Sequence, residues 1–324
     1  MIGVMDRVAA VVPATDRPPT LAACLKALEA AAEPPEQVIV VSDPPGLGPA
    51  AARNRGAALA KCELLVFVDS DVAVHPDAFV RIRQAFAQNP GVAAVFGSYD
   101  DDPAEPDLVS GFRNLLHHHV HTQAAGPAAT FWAGLGAIRA ETFEKVGGFD
   151  ERRYPSPSIE DIELGARLHA RGYSVVLDPG VQGKHLKRWT LASMIRTDFS
   201  SRGIPWAELV LGRESDPGAL NLGLRHRLSA LASVSLLVSL GLRRYRVAAA
   251  SAAAFTALNR DFYVLVARRR GAAHAAGGVL LHVTHSLTAT AAAVVAGWRH
   301  AGRRTRAQSR GRSSEKGAGK VRSE

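Results

Sequence analysis

The run Leu64-Leu65-Val66-Phe67-Val68-Asp69-Ser70-Asp71 constrains the fold more than any other stretch of the chain. An apolar strand delivers two carboxylates, at i and i+2, to its C-terminal end. Side chains at that spacing fall on the same side of an extended backbone. In an open α/β sheet, the point where a parallel strand opens into a loop is where ligands bind. Two hard oxygen ligands there can hold Mg²⁺ or Mn²⁺ against a diphosphate. Asp and Ser are also ordinary turn residues, so the triplet takes its meaning from what surrounds it.

Those surroundings alternate strand and helix signals. Apolar runs at 8–12, 37–41, 64–68 and 91–97 read as strands, and 20–32, 48–61 and 76–88 read as the helices between them. A β-α-β-α-β-α-β order with helix-length connections suits a parallel sheet. An acidic, proline-containing loop follows at 100–107. Residues 108–122 and 159–172 read as further helices, and 131–149 continues the domain between them.

The 324 residues suffice for one large domain or two smaller ones, and 47% hydrophobic residues provide a sizeable core. The net charge of +9 is unevenly spread. Residues 216–324 carry 18 Lys or Arg against 4 Asp or Glu, whereas residues 1–215 carry 21 against 26. Basic tails suit nucleic acid or anionic lipid. Aromatic residues make up only 6%, and no helix-turn-helix, RNP or zinc-finger pattern is present, so no specific nucleic-acid partner is expected. Cys24 and Cys62 have no metal-type spacing and call for no disulfide, which fits a reducing compartment. The N-terminus reads as a strand without a basic n-region, so no secretion signal is expected.

From residue 228 the character changes. Residues 228–242 are apolar, Arg243-Arg244-Tyr245-Arg246 follows, and 247–258 is a second short apolar run. Residues 276–298 form a third, of 23 residues without a charged side chain but with His282 and His285. A membrane-spanning helix needs about 20 apolar residues, a length only the third run reaches. A spanning hairpin of the first two would put three arginines on the far side, against the positive-inside tendency. Interfacial or partly embedded helices are therefore expected, the alternative being a buried, Ala-rich helical extension. The expected organisation is a catalytic body over 1–215, a helical membrane-associated region over 216–300, and a basic disordered tail over 301–324.

Further features converge with Asp69 and Asp71. Asp43 ends a β-branched run at the same edge of the proposed sheet, where it can accept a hydrogen bond from a base or ribose, or sit in the turn before Pro44-Pro45. Arg53 begins a helix, where it can serve an anion or pair with a carboxylate. Phe131-Trp132-Ala133-Gly134 and Gly147-Gly148-Phe149 suit a sugar-binding wall or ordinary core packing. Glu160, Asp161 and Glu163 place acids at a helix start, where they also act as caps and dipole partners. His117 and His121 stand at i and i+4, a zinc-like spacing, but no third ligand accompanies them, which favours a polar helix face or a histidine that meets an anionic acceptor.

Taken together these pieces resemble the family 2 glycosyltransferases, whose catalytic domain has the GT-A fold, a Rossmann-like, mostly parallel sheet with flanking helices. The matching segments, in order, are Val11-Val12-Pro13-Ala14-Thr15, Val40-Val41-Ser42-Asp43, Ala52-Arg53-Asn54-Arg55-Gly56, Phe67-Val68-Asp69-Ser70-Asp71, Gly147-Gly148-Phe149-Asp150-Glu151 and Glu160-Asp161-Ile162-Glu163-Leu164, covering roughly residues 7–210. The resemblance implies a nucleotide-sugar donor, a UDP-sugar being commonest, held with Mg²⁺ or Mn²⁺. Pro13, Thr15, Asp43, Arg53 and Asp69 would lie along the nucleotide, with Asp43 at the base and Asp69 at the ribose and diphosphate. Asp71 would bind the metal with His185 near it, and Asp161 would be the general base. Direct attack assisted by one base inverts the anomeric centre.

The basic, apolar C-terminal region would hold the active site near a membrane, so the expected acceptor is a hydroxyl of a lipid-linked or cell-envelope glycan, reached from the cytoplasmic face of an inner or plasma membrane. Two departures stand out. Ser42 occupies a position where many members carry Asp, and residues 197–206 lack the Gln and the Arg-Trp pair of processive members. A nucleotidyltransferase would share the sheet and carboxylate pair, but the Pro13-Ala14-Thr15-Asp16-Arg17-Pro18 turn lacks its glycine-rich phosphate loop. An inactive membrane-bound scaffold would have no need of Asp69, Asp71 and Asp161 together.

Overall fold

The three-dimensional structure, a computed structural model, describes residues 7–216, 220 and 223–303, and its last helix runs on to Lys320. The expected tail at 301–324 lies outside the described residues from 304 onward.

The chain opens with β1 (Val8–Pro13), α1 (Leu21–Glu29), β2 (Gln37–Val41), α2 (Pro49–Leu59) and β3 (Leu64–Val68). β4 (Val72–Val74), α3 (Ala78–Gln88), β5 (Val92–Tyr99), α4 (Leu108–Gln123) and β6 (Gly126–Pro127) follow. β7 (Leu135–Arg139), α5 (Ala140–Val146), α6 (Glu160–Ala170) and β8 (Ser174–His185) complete one mixed sheet. Its order is β2-β1-β3-β7-β5-β8-β4, with β6 added against β8. β1 pairs in parallel with both β2 and β3. The next neighbour of β3 is the antiparallel β7, which separates it from β5. The expected run of four strands is thus correct in its elements, with an antiparallel strand inserted between the third and fourth.

Burial explains why these segments take these forms. All of β3 and β5 is buried, as expected of strands covered on both faces. Phe67 packs against Phe143 and Phe149, with ring centroids 5.3 and 5.1 Å away. Burying each such side chain contributes roughly 1.5–3 kcal/mol. α2 starts with Pro49 and lies so close to β1 that a Cβ on Gly56 would come within 2.3 Å of Val11 Cγ1. α4 is capped by Asp107, whose carboxylate accepts the Val109 and Ser110 amides, both at 3.0 Å.

Beyond the sheet, α7 (Leu191–Arg196) passes into a π-helical segment, Thr197–Gly203, and then α8 (Ile204–Leu211). α9 (Leu224–Gly241) and α10 (Tyr245–Leu258) form a hairpin, followed by α11 (Arg260–Arg270) and α12 (Ala272–Lys320). A second apolar cluster joins this region to the sheet domain, with Phe112 and Leu115 of α4 packed among Phe255, Phe262 and Leu281. Among the described residues, Ala272–Arg303 is the one helix long and apolar enough to cross a membrane.

Candidate active site

The parallel strands finish together. Pro13 lies opposite Val41 and Val11 opposite Phe67, so the residues after β1, β2 and β3 emerge at one edge of the sheet. Thr15 fastens the loop after β2, donating to the Leu47 carbonyl at 2.5 Å. Asp43 is well exposed there, with Ser42 Oγ donating to it at 3.1 Å and Arg17 3.9 Å away. Pro13, Thr15, Asp43, Asp69 and Asp71 therefore share one rim.

Arg53 is buried behind that rim. Its guanidinium bridges Asp69 Oδ1 at 2.6 Å and Glu160 Oε1 at 2.8 Å. The neighbouring carboxylates overcome the cost of its burial and hold its pKa above the ordinary arginine value. Of the two roles open to it in the sequence, Arg53 takes the ion pair, tying the end of β3 to the start of α6. Asn54 makes a second tie. Its side-chain amide donates to the Phe149 carbonyl and accepts from the Phe149 amide, both at 2.9 Å. Gly148, at φ +65°, provides the left-handed turn beside it.

Asp71 is partly exposed and has no arginine partner among the described residues. His185 Nε2 lies 3.8 Å and Lys187 Nζ 4.0 Å from its carboxylate. His185 arrives on β8, whose end pairs with β4 so that it faces Val72. It stacks on Tyr99 at 4.1 Å with 14° between the rings. Burial opposes the Asp71 charge, but His185 and the Lys187 ammonium beside it hold its pKa below the usual value. At Asp69 burial prevails over Arg53 and raises the pKa.

A partly exposed carboxylate beside an imidazole suits Mg²⁺ or Mn²⁺. No group of three or more His, Cys, Asp or Glu arranged for a metal occurs among the described residues. An ion held by Asp71 and His185 would therefore need its remaining ligands from substrate and water, as is usual for Mg²⁺.

Asp161 stands in the first turn of α6, where its Oδ2 accepts the Ala133 amide at 3.2 Å and Oδ1 the Ile162 amide at 2.8 Å. Burial and then the adjacent Glu160 push its pKa up to about 6, against Arg53. α6 sits tightly here, since a Cβ on Gly165 would come within 2.1 Å of the Phe131 amide nitrogen. Beside the helix start an open cleft of about 340 Å³ is lined by Tyr154, Ser156, Ser158, Ser200, Ser201 and Glu208, among others.

The aromatic segment proves to be core. Phe131 is buried against Phe96, and Trp132 against Tyr99, His117 and His121. The two histidines stack at 3.8 Å, His121 Nδ1 meets the Gly97 carbonyl at 2.8 Å, and burial pushes the His121 pKa down to about 4. Sequence reasoning missed Glu160 as the second partner of Arg53, Tyr99 as the platform under His185, and a buried triad in which Asp198 binds Arg113 at 2.9 Å and His285 at 2.7 Å. Only Glu160 carried a local signal, as part of the acidic helix start; the others meet across the fold.

Comparison with known proteins agrees with this geometry. Residues 20–147 match the model for glycosyl transferase family 2. Validoxylamine A glucosyltransferase of Streptomyces hygroscopicus subsp. jinggangensis is 30% identical over 172 residues, covering 42% of this chain and 39% of the relative. An O-antigen biosynthesis protein of Myxococcus xanthus is 31% identical over 142 residues, covering 39% of this chain and 11% of that protein. The chain thus spans about two fifths or less of these two relatives. A mannosyltransferase from Pyrobaculum calidifontis, solved with GDP-Man and Mn²⁺, superposes with a TM-score of 0.53 at 16% identity, over 92% of this chain and 88% of that one. The fold is GT-A. Residues 20–147 are similar to the family 2 glycosyltransferases.

Proposed function

We propose that the protein transfers a sugar from a nucleotide sugar, most simply a UDP-sugar, to a hydroxyl of a lipid-linked or cell-envelope glycan, with inversion. The observation that carries this reading is the Arg53 bridge. It ties the Asp69–Asp71 edge to Glu160, the neighbour of Asp161 in the first turn of α6, and the Asp161 carboxyl, pushed up to about 6, suits accepting a proton at neutral pH.

In this reading Pro13, Thr15 and Asp43 frame the base and ribose, and Asp69, fixed by Arg53, meets the ribose and diphosphate. Asp71 and His185 hold the divalent ion, which when bound offsets the charge gathering on the leaving diphosphate. Asp161 takes the acceptor hydroxyl proton as the new C–O bond forms at the anomeric carbon and the bond to the diphosphate breaks. The cleft lined by Ser158 and Ser201 lies beside the start of the helix that carries Asp161 and suits a polar acceptor. Residues 1–215 form the catalytic unit, and 216–300 hold it at the cytoplasmic face of an inner or plasma membrane.

Hydrolysis of a nucleotide-sugar panel with Mn²⁺, Mg²⁺ or chelator tests the reading. One donor should be hydrolysed slowly with metal, and faster release should follow addition of the correct acceptor. Metal-independent turnover, or acceptor-stimulated turnover undiminished in Asp161→Asn, would remove the proposed mechanism.

A further inference from the structure

The α9–α10 hairpin is built inside out. In α9 the buried side chains are Ser229, Ser233 and Ser239, whereas Leu224, Leu231 and Val238 are 73%, 66% and 52% exposed. Those three stand at i, i+7 and i+14, on one face of the helix. In α10 the buried set is Ala248, Ser251 and Phe255, and Tyr245 and Val247 face outward.

Polar contacts hold the helices together. Ser235 and Ser251 hydroxyls meet at 2.8 Å, Ser233 reaches Ser286 of α12 at 3.2 Å, and Asn259 donates to Ser229 at 2.9 Å. Small residues inside, hydroxyl bonds between helices and leucines outside is the packing used where lipid is the surroundings. In water the same arrangement wastes apolar burial and leaves a row of large apolar side chains on the surface.

We infer that the outer face of α9–α10 is the lipid-docking surface of the protein, and that it lies in the plane of one leaflet of an anionic bilayer. Length and charge decide the orientation. The apolar stretch 228–242 extends about 22 Å as helix, short of the roughly 30 Å hydrocarbon core. Arg225 and Arg227 lie at one end, and Arg243, Arg244 and Arg246 are exposed at the other. An in-plane helix keeps both ends among headgroups, where arginines are attracted to an anionic surface. Trp298, 81% exposed on α12, suits the same interfacial depth. α12, the one helix of spanning length, is instead tied inward to the catalytic domain through His285 and Asp198. The inference rests on the membrane-associated reading of 216–300 and is independent of sugar transfer.

The test is flotation of the full chain with sealed vesicles of phosphatidylcholine and phosphatidylglycerol. Wild type is expected to float with them, and Leu231→Glu/Val238→Glu to lose at least tenfold of the bound fraction with its melting temperature unchanged. In a Cys62→Ser background, Arg244→Cys, at the headgroup-level end of the hairpin, is expected to react with an impermeant maleimide added outside the vesicles. A double variant that floats like wild type would overturn the docking surface. So would a wild type that stays in the aqueous phase or pairs into dimers without lipid. Protection of Arg244→Cys would overturn the in-plane orientation. Nucleotide binding by the same samples separates the two readings: its loss alone counts against the transferase and leaves the membrane surface standing.

Discussion

At residue scale, the proposed chemistry turns on Asp161 and the site's rigidity on Arg53. Asp161→Asn is expected to lower turnover by about 10²–10⁴-fold, the usual share of a general base, with donor affinity nearly unchanged. Wild-type turnover should rise with pH up to about 6 and then level, because the ionised carboxyl is the active form and its pKa is pushed up to about 6. A carboxyl whose folded pKa exceeds its unfolded value weakens the fold once ionised. Asp161→Asn should therefore melt no lower than wild type at pH 7.5, which thermal scans would check. Arg53→Met should do the opposite. It leaves Glu160 buried without its cation, a loss on the order of 3–5 kcal/mol, read as a fall in the denaturant midpoint. Asp69 and Asp71 were legible because an apolar strand announces where its last residues emerge. The partner of Arg53 was not, since Glu160 lies 107 positions away and no local pattern marks the pair.

At element scale, the Asp198 triad joins α4, the π-helical segment and α12. Arg113 and His285 outweigh burial and pull the Asp198 pKa down to about 2. The sign follows from linkage: a depressed carboxyl stabilises the fold above its unfolded pKa near 4, and the contribution fades as pH falls toward 2. Asp198→Asn should cost roughly 2 kcal/mol at pH 7, converted from that shift, and little at pH 2.5. Hydrogen exchange should quicken first in α12 and the π-helical segment. The strands β1, β2, β3 and β5 were readable from their apolar runs. The inserted β7 and the two short partners of β8 were not, because short strands are specified by whom they pair with. The segment 131–134 had two physical readings in sequence, and burial in the structure decides for packing, since Phe131 and Trp132 face the interior.

At the scale of the whole molecule, a mildly acidic GT-A body carries a basic helical appendage, and the two are joined through a shared apolar cluster and a buried ion triad. The charge asymmetry and the sub-threshold length of the apolar runs were visible in the sequence. Which face of each helix points outward was not, because hydropathy sums over a helix and loses its direction; the outward leucines over inward serines appear only once α9, α10 and α12 are packed. The described body brings Asp43, Asp69, Asp71, His185 and Asp161 to one side of the sheet, which gives the proposed transferase a single decisive test. Titrate UDP, GDP and dTDP into wild type and Asp71→Ala by calorimetry, with Mn²⁺ and with chelator. The account predicts that one nucleoside diphosphate binds wild type with Mn²⁺ and that chelation or Asp71→Ala weakens it at least tenfold. Binding that ignores both the metal and Asp71, or no binding of any of the three, would contradict it.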